Sequence, residues 1–162
     1  MHVIIDDSVD PDARQPLARA FELLCERLGI EQYNKTVKII FFTPKIRKNG
    51  EKEGGYMRPD DDGPLNGKRA QKYVIALAPG KRAIIILALC HEMVHLRQYL
   101  TGVMSFTKNN NGRPIPAYYS HGVDDKSIDY DSLPYEKEPH DLMYPLAEWV
   151  IQKLLKEKAI FK

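Results

Sequence analysis

Two cysteines, Cys25 and Cys90, are all that this chain of 162 residues carries, and two cannot build a zinc ribbon or any other four-thiolate site. Each falls among apolar residues in a helical stretch, where an unpaired thiol behaves as a small hydrophobe. Long apolar runs are equally scarce. The longest, residues 83–90, is far short of the ~20 residues that cross a bilayer. The opening MHVIIDDSVD has no basic start and too brief an apolar stretch for a secretory leader. Neither sign of charge is in excess: 24 Lys and Arg stand against 22 Asp and Glu, a net charge of +2. Basic clusters at 45–48, 68–72 and 81–82 are interleaved with acids and lack an aromatic ladder, so nucleic-acid binding has no strong signal. No internal repeat or low-complexity tract appears. The expectation is one reduced, cytoplasmic domain spanning 1–162, with no membrane partner.

What is present reads as an alternation of helices and strands. Residues 1–7 suggest an initial strand. Ser8 or Asp10 can cap a helix over 12–28, with Pro11 in its first turn and Gly29 stopping it. Residues 36–43, TVKIIFFT, are rich in β-branched and aromatic side chains and read as a buried strand. Asn49-Gly50 signals a two-residue hairpin setting Lys48 opposite Glu51 and Arg47 opposite Lys52. Its return arm runs through Gly54, Gly55 and Tyr56 to Pro59. Asp60 to Gly63 imitates the start of a calcium loop, but the later ligand positions are wrong and an exposed turn is expected. Residues 72–78 form another short strand before a helix over 83–100. From about 102 to 132 the periodicity is lost, and a long irregular loop walling a cleft is expected. Ser132 can cap a last helix beginning near Pro134, with Pro139 and Pro145 predicting a kink or a later start. This order predicts an α+β domain whose small sheet is mostly antiparallel, with an N-terminal helix, a central helix and a C-terminal helix on one face.

The chemistry concentrates in residues 83–100, AIIILALCHEMVHLRQYL. His91, Glu92 and His95 have the spacing H-E-x-x-H. Positions four apart share a helix face, so His91 and His95 can offer two imidazole nitrogens to one zinc. Glu92, about 100° round the helix, reaches a water on that zinc rather than the ion itself. Random placement would give this pattern in about one such chain in a hundred, and the uncharged flanks favour a buried helix over a solvated one. A catalytic zinc takes three protein ligands and a water. The third must come from the C-terminal region, the only sequence left to fold back. Glu136 shares a helical face with His140, Met143 and Ala147, and a carboxylate on an apolar face needs a partner. Glu138, which lies with Leu142 and Trp149, and His140 are the alternatives.

The helix bearing HEMVH resembles the zincin metallopeptidases, more narrowly the short single-domain kinds (SprT-like, minigluzincin-like and phage-encoded). The likeness covers roughly residues 36–147. Its specific parts are the five-residue motif and a weaker segment, Leu133-Pro134-Tyr135-Glu136-Lys137-Glu138-Pro139, similar to the L-P-[WY]-E-x-E-A stretch of small zincins, with Pro139 in place of Ala. The resemblance implies a zincin-like fold, one Zn2+ per chain, and hydrolysis of a peptide or protein substrate with Glu92 as general base. It also implies that an edge strand pairs with the substrate, here Gly54, Gly55 and Tyr56, and it strengthens Glu136 while keeping His140, since SprT-like proteins use a third His. The oxyanion of such a reaction needs a further donor; Tyr118, Tyr119, Tyr135 and His121 are candidates. Peptide deformylases share H-E-x-x-H but take an upstream Cys as third ligand, a role neither cysteine suits. A non-catalytic zincin-like binding or regulatory module, its metal structural or lost, is the competing reading.

Overall fold

The computed structural model describes residues 1–46, 50, 52–60, 70–108, 114–118 and 134–157. Strand β1 (His2–Ile5) leads into helix α1 (Pro11–Arg27), followed by β2 (Thr36–Phe41), β3 (Gly55–Pro59), β4 (Lys72–Leu77) and helix α2 (Arg82–Leu100). Strands β5 (Met104–Lys108) and β6 (Pro114–Tyr118) precede the last helix, α3 (Pro134–Lys156). Helix α1 begins with Pro in its first turn and stops at Gly29, whose φ of +68° only glycine adopts freely. Asp10 occupies the N-cap without a side-chain hydrogen bond. Ser8 is used elsewhere, its Oγ accepting from the Phe41 N–H at 3.0 Å and so binding the α1 entry to β2.

The sheet runs β1-β2-β4-β3. Both β1 with β2 and β2 with β4 are parallel, and only β3 with β4 is antiparallel. The expected mostly antiparallel sheet is therefore corrected to a mixed one, within the same α+β class. Local pattern fixes that a segment is a strand but not which neighbour it takes. Here α1 carries the chain back so that β2 starts beside the start of β1, and β4 inserts between β2 and β3. Tyr73, Val74, Ile75, Ala76 and Leu77 of β4 are all buried, as a central strand flanked by parallel and antiparallel partners requires. Val37, Ile39, Met57, Tyr73, Ile75 and Leu77 join the buried faces of all three helices in one core.

Three further expectations change. Lys52 bridges Ile46 rather than Arg47, so the hairpin register is one residue off the two-residue turn that Asn49-Gly50 suggests. Residues 102–132 are not irregular throughout, because β5 and β6 form an antiparallel ribbon, Met104 opposite Tyr118 and Lys108 opposite Pro114. Pro114 and Pro116 stand two apart, so both take positions whose missing N–H would point away from the partner strand. Helix α3 starts at Pro134, not later, and continues through Pro139 and Pro145. The calcium-like turn at 61–63, Lys48, Glu51 and Ser132 lie outside the described residues.

Helix α2 is long and apolar enough, by length and composition, to cross a membrane, but 67% of that window is buried inside the fold. It packs under β3 and β4 on one side and along α3 on another, a core helix by position.

Candidate metal centre

Ile85, Ile86, Leu89 and Cys90 anchor α2 in the core, and the next turn presents His91 and His95 toward α3. Their Nε2 atoms lie 3.2 Å apart. Helix α3 brings Glu136 between them: Oε2 stands 3.0 Å from His91 Nε2 and Oε1 stands 3.0 Å from His95 Nε2. In a tetrahedral zinc site with bonds of 2.0–2.1 Å, neighbouring donors are about 3.3 Å apart, so the spacing fits a shared small cation. Glu136 is only 2% exposed, and its Oε2 has no properly oriented hydrogen bond despite the nearby imidazole. A buried carboxylate oxygen in that condition is costly unless a cation completes it. Two imidazoles and a carboxylate are the donor set of many hydrolytic zinc sites, and the residues fit the ion.

A second, overlapping set sits at the same place. One ligand atom each from His91, Glu136 and His140 lies within 4.8 Å of the others. His140 follows Glu136 by one helical turn, is half-buried, and sets its ring edge-on to His91 with centroids 5.1 Å apart. Glu138 is turned away; it pairs with Arg97 at 2.9 Å and its side chain is 45% exposed. Among the proposed third ligands, Glu136 is thus the one facing both imidazoles.

Glu92 is 5% exposed and lies against the start of β3. The contact is so close that a Cβ on Gly55 would meet Glu92 Cγ at 3.5 Å and the Ala76 carbonyl oxygen at 2.7 Å. Burial pushes the Glu92 carboxyl above its ordinary range, and the positive fields of His95 and His91 only partly offset this. Glu136 goes the other way. Burial would raise it, but His91 and His95 together hold it well below the usual carboxylate range. For His95, burial favours the neutral ring, yet the facing Glu136 and Glu92 carboxylates raise its pKa overall.

No family model, curated protein or solved structure matches the chain.

The remaining sequence candidates are distributed unevenly. Gly55 and Tyr56 belong to β3, an edge strand, with Gly54 just before it and Ala88 of α2 beneath. Tyr56 packs edge-on against Phe42 at 5.1 Å. Tyr135 is buried with its ring 6.1 Å from that of His95. Tyr118 contributes backbone to β6, while Tyr119 and His121 lie outside the described residues. Both thiols are pushed up to about 12 by burial, which keeps Cys90 an inert neighbour of His91. Sequence reasoning gave no role to Gln98, which is 3% exposed and bonded to His95 Nδ1 at 2.9 Å and to the Tyr135 carbonyl at 3.0 Å. Its signal was an uncharged polar residue three positions after His95 on a mostly apolar helix.

Proposed function

We propose that this chain is a zinc-dependent metallopeptidase of the single-domain zincin kind, acting on peptide or protein substrates in a cytoplasmic setting. The observation that carries the reading is the closure of two α2 imidazoles by a buried α3 carboxylate whose Oε2 lacks a hydrogen bond, with Glu92 beside it. Zinc held by His91, His95 and Glu136 would lower the pKa of a bound water toward about 7 and polarise a carbonyl. Glu92, raised by burial, is suited to accept a proton at its carboxylate and return it to the leaving amine. Glu136 stays anionic and offsets the charge of the ion. Among the described residues β3 is the last strand of its sheet, so an extended peptide can pair along it at Gly55 and Tyr56, and Gly55 lets that backbone lie close to Glu92.

One observation favours a second reading. If His140 takes the fourth position beside His91 and Glu136, the coordination closes and the metal is structural. The variant Glu92→Gln separates the two. The peptidase reading expects zinc to be retained while hydrolysis of a fluorescence-quenched peptide library falls by about 10²–10⁴. Wild type that binds zinc through four protein ligands and cleaves nothing would support the structural reading instead.

A further inference from the structure

We infer that Gln98 is the positioning residue of this centre: it selects which nitrogen of His95 faces the ion and ties that selection to the seating of α3. The inference rests on the metal reading above and concerns how the site is assembled.

The reasoning starts at Pro139. In an α-helix the carbonyl of residue 135 would accept from the N–H of residue 139, but proline has none. Gln98 Nε2, reaching across from α2, donates to the Tyr135 carbonyl at 3.0 Å. A carbonyl can only accept, which sets the amide orientation and turns Gln98 Oε1 toward His95. That oxygen also only accepts, so His95 Nδ1, at 2.9 Å, must carry a hydrogen. That leaves Nε2 as the nitrogen facing Glu136 Oε1 and His91 Nε2, at 3.0 and 3.2 Å, and the one that would bind an ion. Reversing the amide would set two acceptors against each other at one end, and both ends are buried.

This chain of bonds does more than orient a ring. Gln98 and Tyr135 are 37 residues apart in sequence, and Tyr135 is the immediate neighbour of Glu136. A single turn of α3 therefore supplies both the carbonyl that fixes Gln98 and the carboxylate that completes the donor set. Correct seating of that turn and the correct face of His95 come together.

The test uses zinc alone as probe, on the full chain. In zinc-loaded wild type, ¹⁵N spectra of the histidine rings should show His95 with zinc on Nε2 and hydrogen on Nδ1. Chelator competition should find Gln98→Met weaker for zinc by about 10–100-fold, and Gln98→Glu, which when protonated keeps both an acceptor for His95 and a donor for the Tyr135 carbonyl, within about fivefold of wild type. A Gln98 that merely filled space would leave zinc affinity unchanged in Gln98→Met, or make the buried acid of Gln98→Glu the worse of the two; either result overturns the inference. Zinc on His95 Nδ1 also overturns it, and that observation needs no variant, so it decides the matter if Gln98→Met does not fold. Wild type without zinc affinity would remove the metal reading and this inference together, whereas tight wild-type binding matched by Gln98→Met would remove this inference alone.

Discussion

Glu92 and Glu136 are both buried carboxylates beside the same two imidazoles, yet their environments push them apart. Glu136 meets both Nε2 atoms directly and is stabilised as an anion, whereas Glu92 meets mainly the low-dielectric interior, which raises its pKa. Such divergence is how one site assigns a permanent anion and a proton carrier to two groups of one kind. The second residue-scale feature is Gly55. A side chain there would press on the Ala76 carbonyl oxygen at 2.7 Å, while at Gly54 the nearest atom, Ala88 Cβ, is 3.8 Å away. Gly55→Ala should therefore cost about 1–3 kcal/mol of stability and move β3 off Glu92, and Gly54→Ala should be nearly neutral. Denaturant titration of the two variants checks this; equal effects would mean that β3 does not hold its close approach to α2.

At the scale of elements, the joint between α2 and α3 carries most of the buried ionisable groups described, and its pH dependence follows in the metal-free protein. Glu136, held below its ordinary 4.5, stabilises the fold above that value and loses this contribution as pH falls. Glu92 is raised, so the fold binds more protons than the unfolded chain above pH 4.5, and stability declines as pH rises through its folded value. His95, raised from 6.5, adds a loss in the same direction at higher pH. Metal-free protein should thus melt at a lower temperature at about pH 8 than at about pH 5. Zinc, by supplying positive charge between the carboxylates and the rings, should flatten the decline. Calorimetry across that range with and without zinc is the check, and a metal-free profile rising toward pH 8 would contradict it. Elements themselves were legible where the pattern was strong: α1 follows its apolar spacing and a glycine stop, and α2 its continuous apolar run and the four-residue spacing of its histidines. The β5–β6 ribbon was not, because two prolines and a polar tip mask a pair of strands that needs only one hydrogen-bonding edge each.

Over the whole molecule, the sheet order was hidden for a different reason. Whether β2 lies beside β1 or β3 depends on where α1 returns the chain and on β4 entering between β2 and β3, which no local window records. The candidate site was legible in its α2 half, since four-residue spacing on one helix is a local fact. Its α3 half depended on a face argument and on likeness to a short segment, and Gln98 was invisible because its role exists only once the Tyr135 carbonyl arrives from a helix 37 residues on. Long-range ties elsewhere are weaker. Arg19 reaches Glu157 with two bonds of 2.9 and 2.8 Å, joining α1 to the end of α3, but exposed pairs of this sort contribute about 0–1 kcal/mol. The α2–α3 joint is what brings ligands distant in the chain to one point, so loss of a single carboxylate there should abolish the centre. Zinc content per chain of Glu136→Ala, measured beside wild type and Glu138→Ala, tests this most directly. About one zinc in wild type and Glu138→Ala, with little or none in Glu136→Ala, is the expected result; undiminished zinc in Glu136→Ala would contradict it.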